Sequence, residues 1–154
     1  MPNILKYIHD YLLKNKRTIS TAESCTGGLL SFMLTKLPGS SKYFLLGVVS
    51  YSNAAKKSML RIPTKVISKN GAVSKEVATL MAKNVRRIAR TDIGVGITGI
   101  AGPSGGLTQK PVGTVFIAVS AKNKSICKKF VFKGNRAAIR KQAALKALQL
   151  LKSA

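Results

Sequence analysis

Acidic side chains are scarce in this chain of 154 residues: Asp10, Glu23, Glu76 and Asp92 stand against 27 lysines and arginines. A pair of catalytic carboxylates or a magnesium cage needs clustered acids, and no two of the four lie near one another in sequence. Histidine is scarcer still. His9 is the only one, on a helix expected at the surface, so a Ser–His–Asp triad has no base to draw on. The two cysteines, Cys25 and Cys127, are too few and too far apart for a disulfide framework or a zinc site. No metal and no cofactor is expected. No apolar run is long enough to span a membrane. Met1 to Asp10 alternates polar with apolar residues, unlike a signal peptide. These absences point to a single cytoplasmic domain with no membrane partner, large enough to bury a full core.

What the chain has in excess is positive charge, formally +23. Such a balance attracts polyanions in a salt-sensitive way. In sequence, however, the lysines are scattered, as at Lys14, Lys16, Lys56, Lys57, Lys122, Lys124, Lys128 and Lys129. Aromatic residues make up only 6% and no stacking motif runs between the basic ones. A specific nucleic-acid partner is therefore not expected.

Apolar periodicity predicts a helix over 2–15, a strand over 18–22 and a helix over 26–37 that Pro38-Gly39-Ser40-Ser41 breaks. A strand over 43–51, rich in β-branched and aromatic residues, leads into short helices over 53–60 and 64–69. Ser74 caps a longer helix with Val77, Leu80, Met81, Val85 and Ile88 on one face. Ile93, Val95 and Ile97 alternate with Gly94 and Gly96, the pattern of a strand with one bare face that something packs against closely. Strands over 112–120 and 125–132 form a hairpin, and Asn135 caps the last helix. Alternation early and a hairpin late predict a single α/β domain, a three-layer α/β/α sandwich on a mixed sheet, over 1–154.

Four loops combine small residues with hydroxyls at element junctions. Thr21-Ala22-Glu23-Ser24-Cys25-Thr26-Gly27-Gly28 lies between a strand and a helix, a turn that suits an anion. Glu23 there is read as pairing with a buried cation or orienting a hydroxyl, and Cys25 as a packed thiol, since no histidine is at hand to activate it. The second loop is 38–41, and the third, 51–56, turns a strand into a helix. Ser41 falls just before that strand and Lys56 just after it. A neutral lysine can deprotonate a serine if burial or another cation lowers its pKa. To meet across the strand, the two would need a curved path or a partner subunit. On spacing alone, a turn hydroxyl and a solvated lysine are the stronger readings. The fourth loop, 97–106, is neither a dinucleotide fingerprint nor a P-loop, yet its glycines allow close approach to a ligand. Arg136 occupies the first position of the last helix, where it opposes the helix dipole. It is read equally as an anion clamp and as a solvent-screened surface residue.

In this order, TAESCTGG (21–28), PGSSKYF (38–44), VVSYSNAAK (48–56), GAVSKEVA (71–78), ITGIAGPSGG (97–106), KPVGTVFIA (110–118) and FKGNRAAIRKQA (132–143) resemble the C-terminal domain of the competence-damage-inducible CinA family. The enzymatic form of that family is a nicotinamide-nucleotide amidohydrolase. The resemblance implies deamidation of nicotinamide mononucleotide to nicotinate mononucleotide and ammonia, by a standalone form of the domain. It implies Ser41 as nucleophile, Lys56 as base and Arg136 as functional arginine. Tyr51, Thr98, Gly27, Gly99 and Gly102 are expected to bind the nucleotide substrate. A homodimer is the expected assembly. The family usually carries an acid where this chain has Ser104, and often at Ala54. The alternative is a catalytically silent nucleotide-binding or regulatory domain of the same fold.

Overall fold

The computed structural model describes residues 3–153, so Pro2, where the first helix was expected to begin, lies outside the described residues. Within them the element order is α1 (Ile4–Lys14), β1 (Ile19–Glu23), α2 (Leu29–Thr35), β2 (Phe44–Val49), α3 (Asn53–Leu60), α4 (Thr64–Asn70), α5 (Lys75–Ala89), β3 (Ile93–Gly99), β4 (Thr114–Ser120), β5 (Ser125–Val131) and α6 (Arg136–Leu150). Side-chain caps start four of the helices: Asn3 on α1, Ser52 on α3, Ser74 on α5 and Asn135 on α6. Each accepts from a backbone N–H that the helix leaves unpaired. α2 begins later than expected because 26–28 is a turn, with Gly27 and Gly28 both at positive φ.

The five strands form one mixed sheet in the order β2-β1-β3-β4-β5. β2, β1 and β3 run parallel, and β4 and β5 complete it as antiparallel neighbours. Ile93, Val95 and Ile97 of β3, with Val115, Ile117 and Val119 of β4, face a core closed by α1, α2 and α6. The other face packs on α5. A Cβ at Gly94 would stand 2.1 Å from the Ala82 carbonyl, and one at Gly96 2.3 Å from that of Ala78. The bare face of β3 therefore lets the α5 backbone approach directly. The molecule is a three-layer α/β sandwich, as the alternation of elements implies.

One expectation fails at the helix that opens the fold. His9 is buried, 7% exposed, with Nδ1 3.0 Å from Tyr43 Oη. The tyrosine gives its own proton to the Leu34 carbonyl at 2.6 Å, so Nδ1 of His9 must be the donor to it. The only histidine is a core strut between α1 and the turn before β2. Its flanking residues suggested exposure because a single polar residue on an amphipathic helix does not disturb the apolar period.

Candidate active site

Parallel order decides which loops meet. Pairing Glu23 with Val49 and with Ile97 places the carboxyl ends of β1, β2 and β3 side by side. The chain leaves β1 toward one side of the sheet and β3 toward the other, the switch point where open α/β sheets bind ligands. A cavity of about 260 Å³ opens there. Its walls come from the β1–α2 turn (Ser24, Cys25), the start of α3 (Asn53, Lys56) and the 99–105 loop.

Lys56 is the centre of the site. It is 1% exposed, and its Nζ donates to Ser24 Oγ at 3.0 Å, to the Ser50 carbonyl at 2.8 Å and to the Tyr51 carbonyl at 3.4 Å. Among the described residues no carboxylate reaches it. Among the described residues the one ion pair is Lys6–Asp10, at 2.6 Å on the surface. Burial without a counter-ion disfavours the ammonium, so the pKa of Lys56 lies below the ordinary lysine value.

Ser24 follows β1 directly, and its N–H donates to the Ile97 carbonyl at 3.0 Å. Glu23 braces the turn from below. Its carboxylate accepts from the N–H groups of Gly28, Leu30 and Ser31 at 3.1, 3.1 and 2.8 Å, and from Ser31 Oγ at 2.7 Å. The start of α2, which the sequence marks as an anion site, is thus filled by the chain's own carboxylate. Glu23 pairs with no cation. Cys25, 5% exposed, has its thiol pKa pushed up to about 12, first by burial and then by Glu23. It is a packed thiol with little nucleophilic character at neutral pH.

Ser41 does not meet Lys56 within the chain. It lies on an exposed 3-10 turn, Ser40–Lys42, at the amino end of β2. The six residues of β2 hold it about 20 Å from the end where Lys56 binds, at about 3.3 Å per residue. The hydroxyl on Lys56 is that of Ser24. The sequence carried a usable signal for this. Ser24 and Lys56 both follow strands, and parallel strands bring such corners to one end of a sheet; Ser41 precedes its strand.

Tyr51, Thr98, Gly99, Gly102 and Arg136 all line the cavity. Arg136 bridges its mouth, donating from Nη1 to the Gly102 carbonyl at 2.8 Å and from Nη2 to Tyr51 Oη at 2.7 Å. Both partners are neutral, so its charge is uncompensated. Gly27 is not part of the lining; a Cβ there would stand 2.9 Å from Arg140 Nη2, and Arg140 donates to the Thr26 carbonyl at 3.0 Å. Thr98, 1% exposed, donates to the Ala72 carbonyl at 2.8 Å. Lys110, missed in the sequence, donates to the carbonyls of Asn70 at 3.2 Å and Val73 at 2.6 Å, and Ser74 Oγ donates to that of Gly71 at 2.9 Å. Four successive carbonyls, 70–73, are thus held by side chains, which fixes Ala72 and Val73 as one wall of the cavity.

Fold and site together define a class: a single α/β domain with a buried Ser–Lys pair in one pocket at the switch point of its sheet. The description "CinA C-terminal domain" matches residues 2–154, and the chain belongs to this family. It is similar to the CinA-like proteins of Geotalea uraniireducens (strain Rf4), 47% identical over 135 residues, and of Desulfotalea psychrophila, 48% identical over 141. Those matches cover 88% and 92% of this chain but 32% and 34% of the relatives. The chain thus spans about a third of the length of these curated relatives. Among solved structures, it resembles a competence/damage inducible protein from Agrobacterium tumefaciens, with a TM-score of 0.92, 35% identity and coverage of 99% of this chain and 96% of that one. It also resembles a CinA superfamily protein from Escherichia coli, with a TM-score of 0.93, 31% identity and coverage of 97% and 87%. No helix among the described residues is long and apolar enough to cross a membrane.

Proposed function

We propose that the chain is an amidohydrolase that deamidates nicotinamide mononucleotide, with Ser24 as nucleophile and Lys56 as base. The carrying observation is the Lys56 amine, buried without a carboxylate and 3.0 Å from Ser24 Oγ. In the neutral amine, the Ser50 and Tyr51 carbonyls engage two N–H bonds. The lone pair is left facing the Ser24 hydroxyl. Family membership and the ordered motifs support the substrate.

Ser24 Oγ attacks the carboxamide carbon as its proton passes to Lys56. Backbone N–H groups of the lining loops stabilise the oxyanion. As the tetrahedral intermediate collapses, the C–N bond breaks and Lys56 returns the proton to the departing ammonia. Water then attacks the acyl-enzyme, giving a proton to Lys56, and the C–Oγ bond breaks to release nicotinate mononucleotide. The Ser24 alkoxide recovers its proton from Lys56. Arg136, with the positive end of α6 behind it, binds the substrate phosphate.

The test is a coupled ammonia assay on the purified chain, with the nucleotide product identified by chromatography. Stoichiometric ammonia and nicotinate mononucleotide are expected. Tight binding of the mononucleotide with no ammonia released would sink the enzymatic reading.

A further inference from the structure

Seven of the 27 lysines and arginines that look scattered in sequence gather at the end of the sheet away from the Ser24–Lys56 cavity. Two adjoining clefts, of about 360 and 470 Å³, share Arg87 there. Lys83, Arg86 and Arg87 lie three and four residues apart on α5 and form one stripe, and Arg90 follows as the left-handed residue that ends the helix. Lys122 and Lys124 reach the first cleft from the β4–β5 turn, and Arg61 enters the second from the end of α3. The dipole of α5 favours Arg86 and Arg87 in its last turn. It gives no reason for cations arriving from two other elements.

Among the described residues no carboxylate pairs with these cations, and Lys124 Nζ donates to the Ser153 carbonyl. Asp10 pairs with Lys6, Glu23 sits under α2, Glu76 is in the first turn of α5 at its other end, and Asp92 accepts from Thr18. Arg86 Nε is buried with no hydrogen-bond partner. Like charges four residues apart on a helix, as Lys83 with Arg87, destabilise it unless an anion lies between them.

We infer that this face docks the phosphodiester backbone of nucleic acid without reading sequence. Two basic clefts joined at Arg87 suit neighbouring phosphates of one strand. Exposed Asn123 in the wall of the first cleft adds a neutral donor. No aromatic side chain lines either cleft, so base stacking and base preference are not expected. A bilayer surface would need apolar side chains to insert, and Ile88, 41% exposed, is the one large apolar residue in the lining.

Fluorescence anisotropy with a labelled oligonucleotide of about 20 residues tests this on the full chain. Micromolar or tighter binding at about 100 mM salt is expected, with log K falling against log salt at a slope of about −3 for four phosphates. Reversing Arg87, Lys122 and Lys124 to Glu is expected to lose about 30-fold in affinity or more. Reversing exposed Lys65, Lys69 and Lys75 to Glu, an equal change in charge elsewhere, is expected to lose less than about threefold. Should the first triple variant unfold, the milder Lys122→Gln/Lys124→Gln is expected to lose about fivefold. Equal losses from the two triple variants would overturn the assignment, as diffuse attraction. So would undetectable binding at about 100 mM salt, or a preference for phosphatidylserine vesicles over the oligonucleotide.

Discussion

Ser24 and Ser41 both sit at the end of a strand in the same parallel pair, Ser24 after β1 and Ser41 before β2. Both follow the same composition rule, a small hydroxyl residue in a glycine-containing turn. Their surroundings differ in every respect that matters to a nucleophile. Ser24 is 8% exposed, tied to β3 through its N–H and in contact with a desolvated amine. Ser41 is in water, with no base within reach. The end of the strand, more than the turn itself, decides which hydroxyl meets Lys56.

The sharpest way to break this contrast is to remove the two hydroxyls separately. Ser24→Ala is expected to lower kcat for ammonia release about 10⁴-fold. Retention of more than a tenth of the activity would remove Ser24 from the mechanism. Lys56→Arg comes next, because Arg keeps the charge and cannot give up its proton. A loss of about 10³-fold is expected, of the size of general-base catalysis. The wild-type profile tests the same point. Only neutral Lys56 is a base, so kcat/KM should rise about tenfold per pH unit until it levels off below the ordinary lysine range. A profile flat through that region would count against Lys56 as the base.

Arg136→Gln addresses binding rather than chemistry. It is expected to raise KM for the mononucleotide about 10- to 100-fold, the worth of a charged hydrogen bond. It should leave KM for the nucleoside, which lacks the phosphate, little changed. The smallest effect belongs to Ser41→Ala, under about twofold in kcat/KM, as for an exposed surface substitution. A large loss there would mean that a second copy brings Ser41 to the site.

The elements were legible because their signals are local. Caps at Ser74 and Asn135, the bare glycines of β3 and the Pro38-Gly39 break each occupy a few neighbouring residues. Motif order grouped Lys56, Tyr51, Thr98 and Arg136, and all four line the cavity. Strand order was not legible, and Ser24 depended on it: only the placement of β1 between β2 and β3 brings residue 24 against Lys56. Of the two readings of Glu23, it orients a hydroxyl, that of Ser31, and pairs with no cation; a carboxylate beside a glycine turn does not reveal which helix its oxygens will cap. Lys110 escaped because its partners are carbonyls some 40 residues away in sequence. The basic face escaped for a similar reason, being drawn from three elements that no window on the sequence contains.

The isolation of Lys56 has a consequence for heat and acid as well as for catalysis. Its folded pKa is depressed, so the unfolded chain holds more protons than the folded one between the folded and unfolded values. The penalty is fully present below the folded value and fades as pH rises through the unfolded one. At neutral pH the domain therefore carries buried Lys56 as a thermodynamic burden. Lys56→Met, which fills the same space without a charge, is expected to be more stable than the natural chain by about 1 kcal/mol at pH 7, read as a higher unfolding temperature. The gain should shrink toward pH 10 as the natural chain sheds that proton in both states.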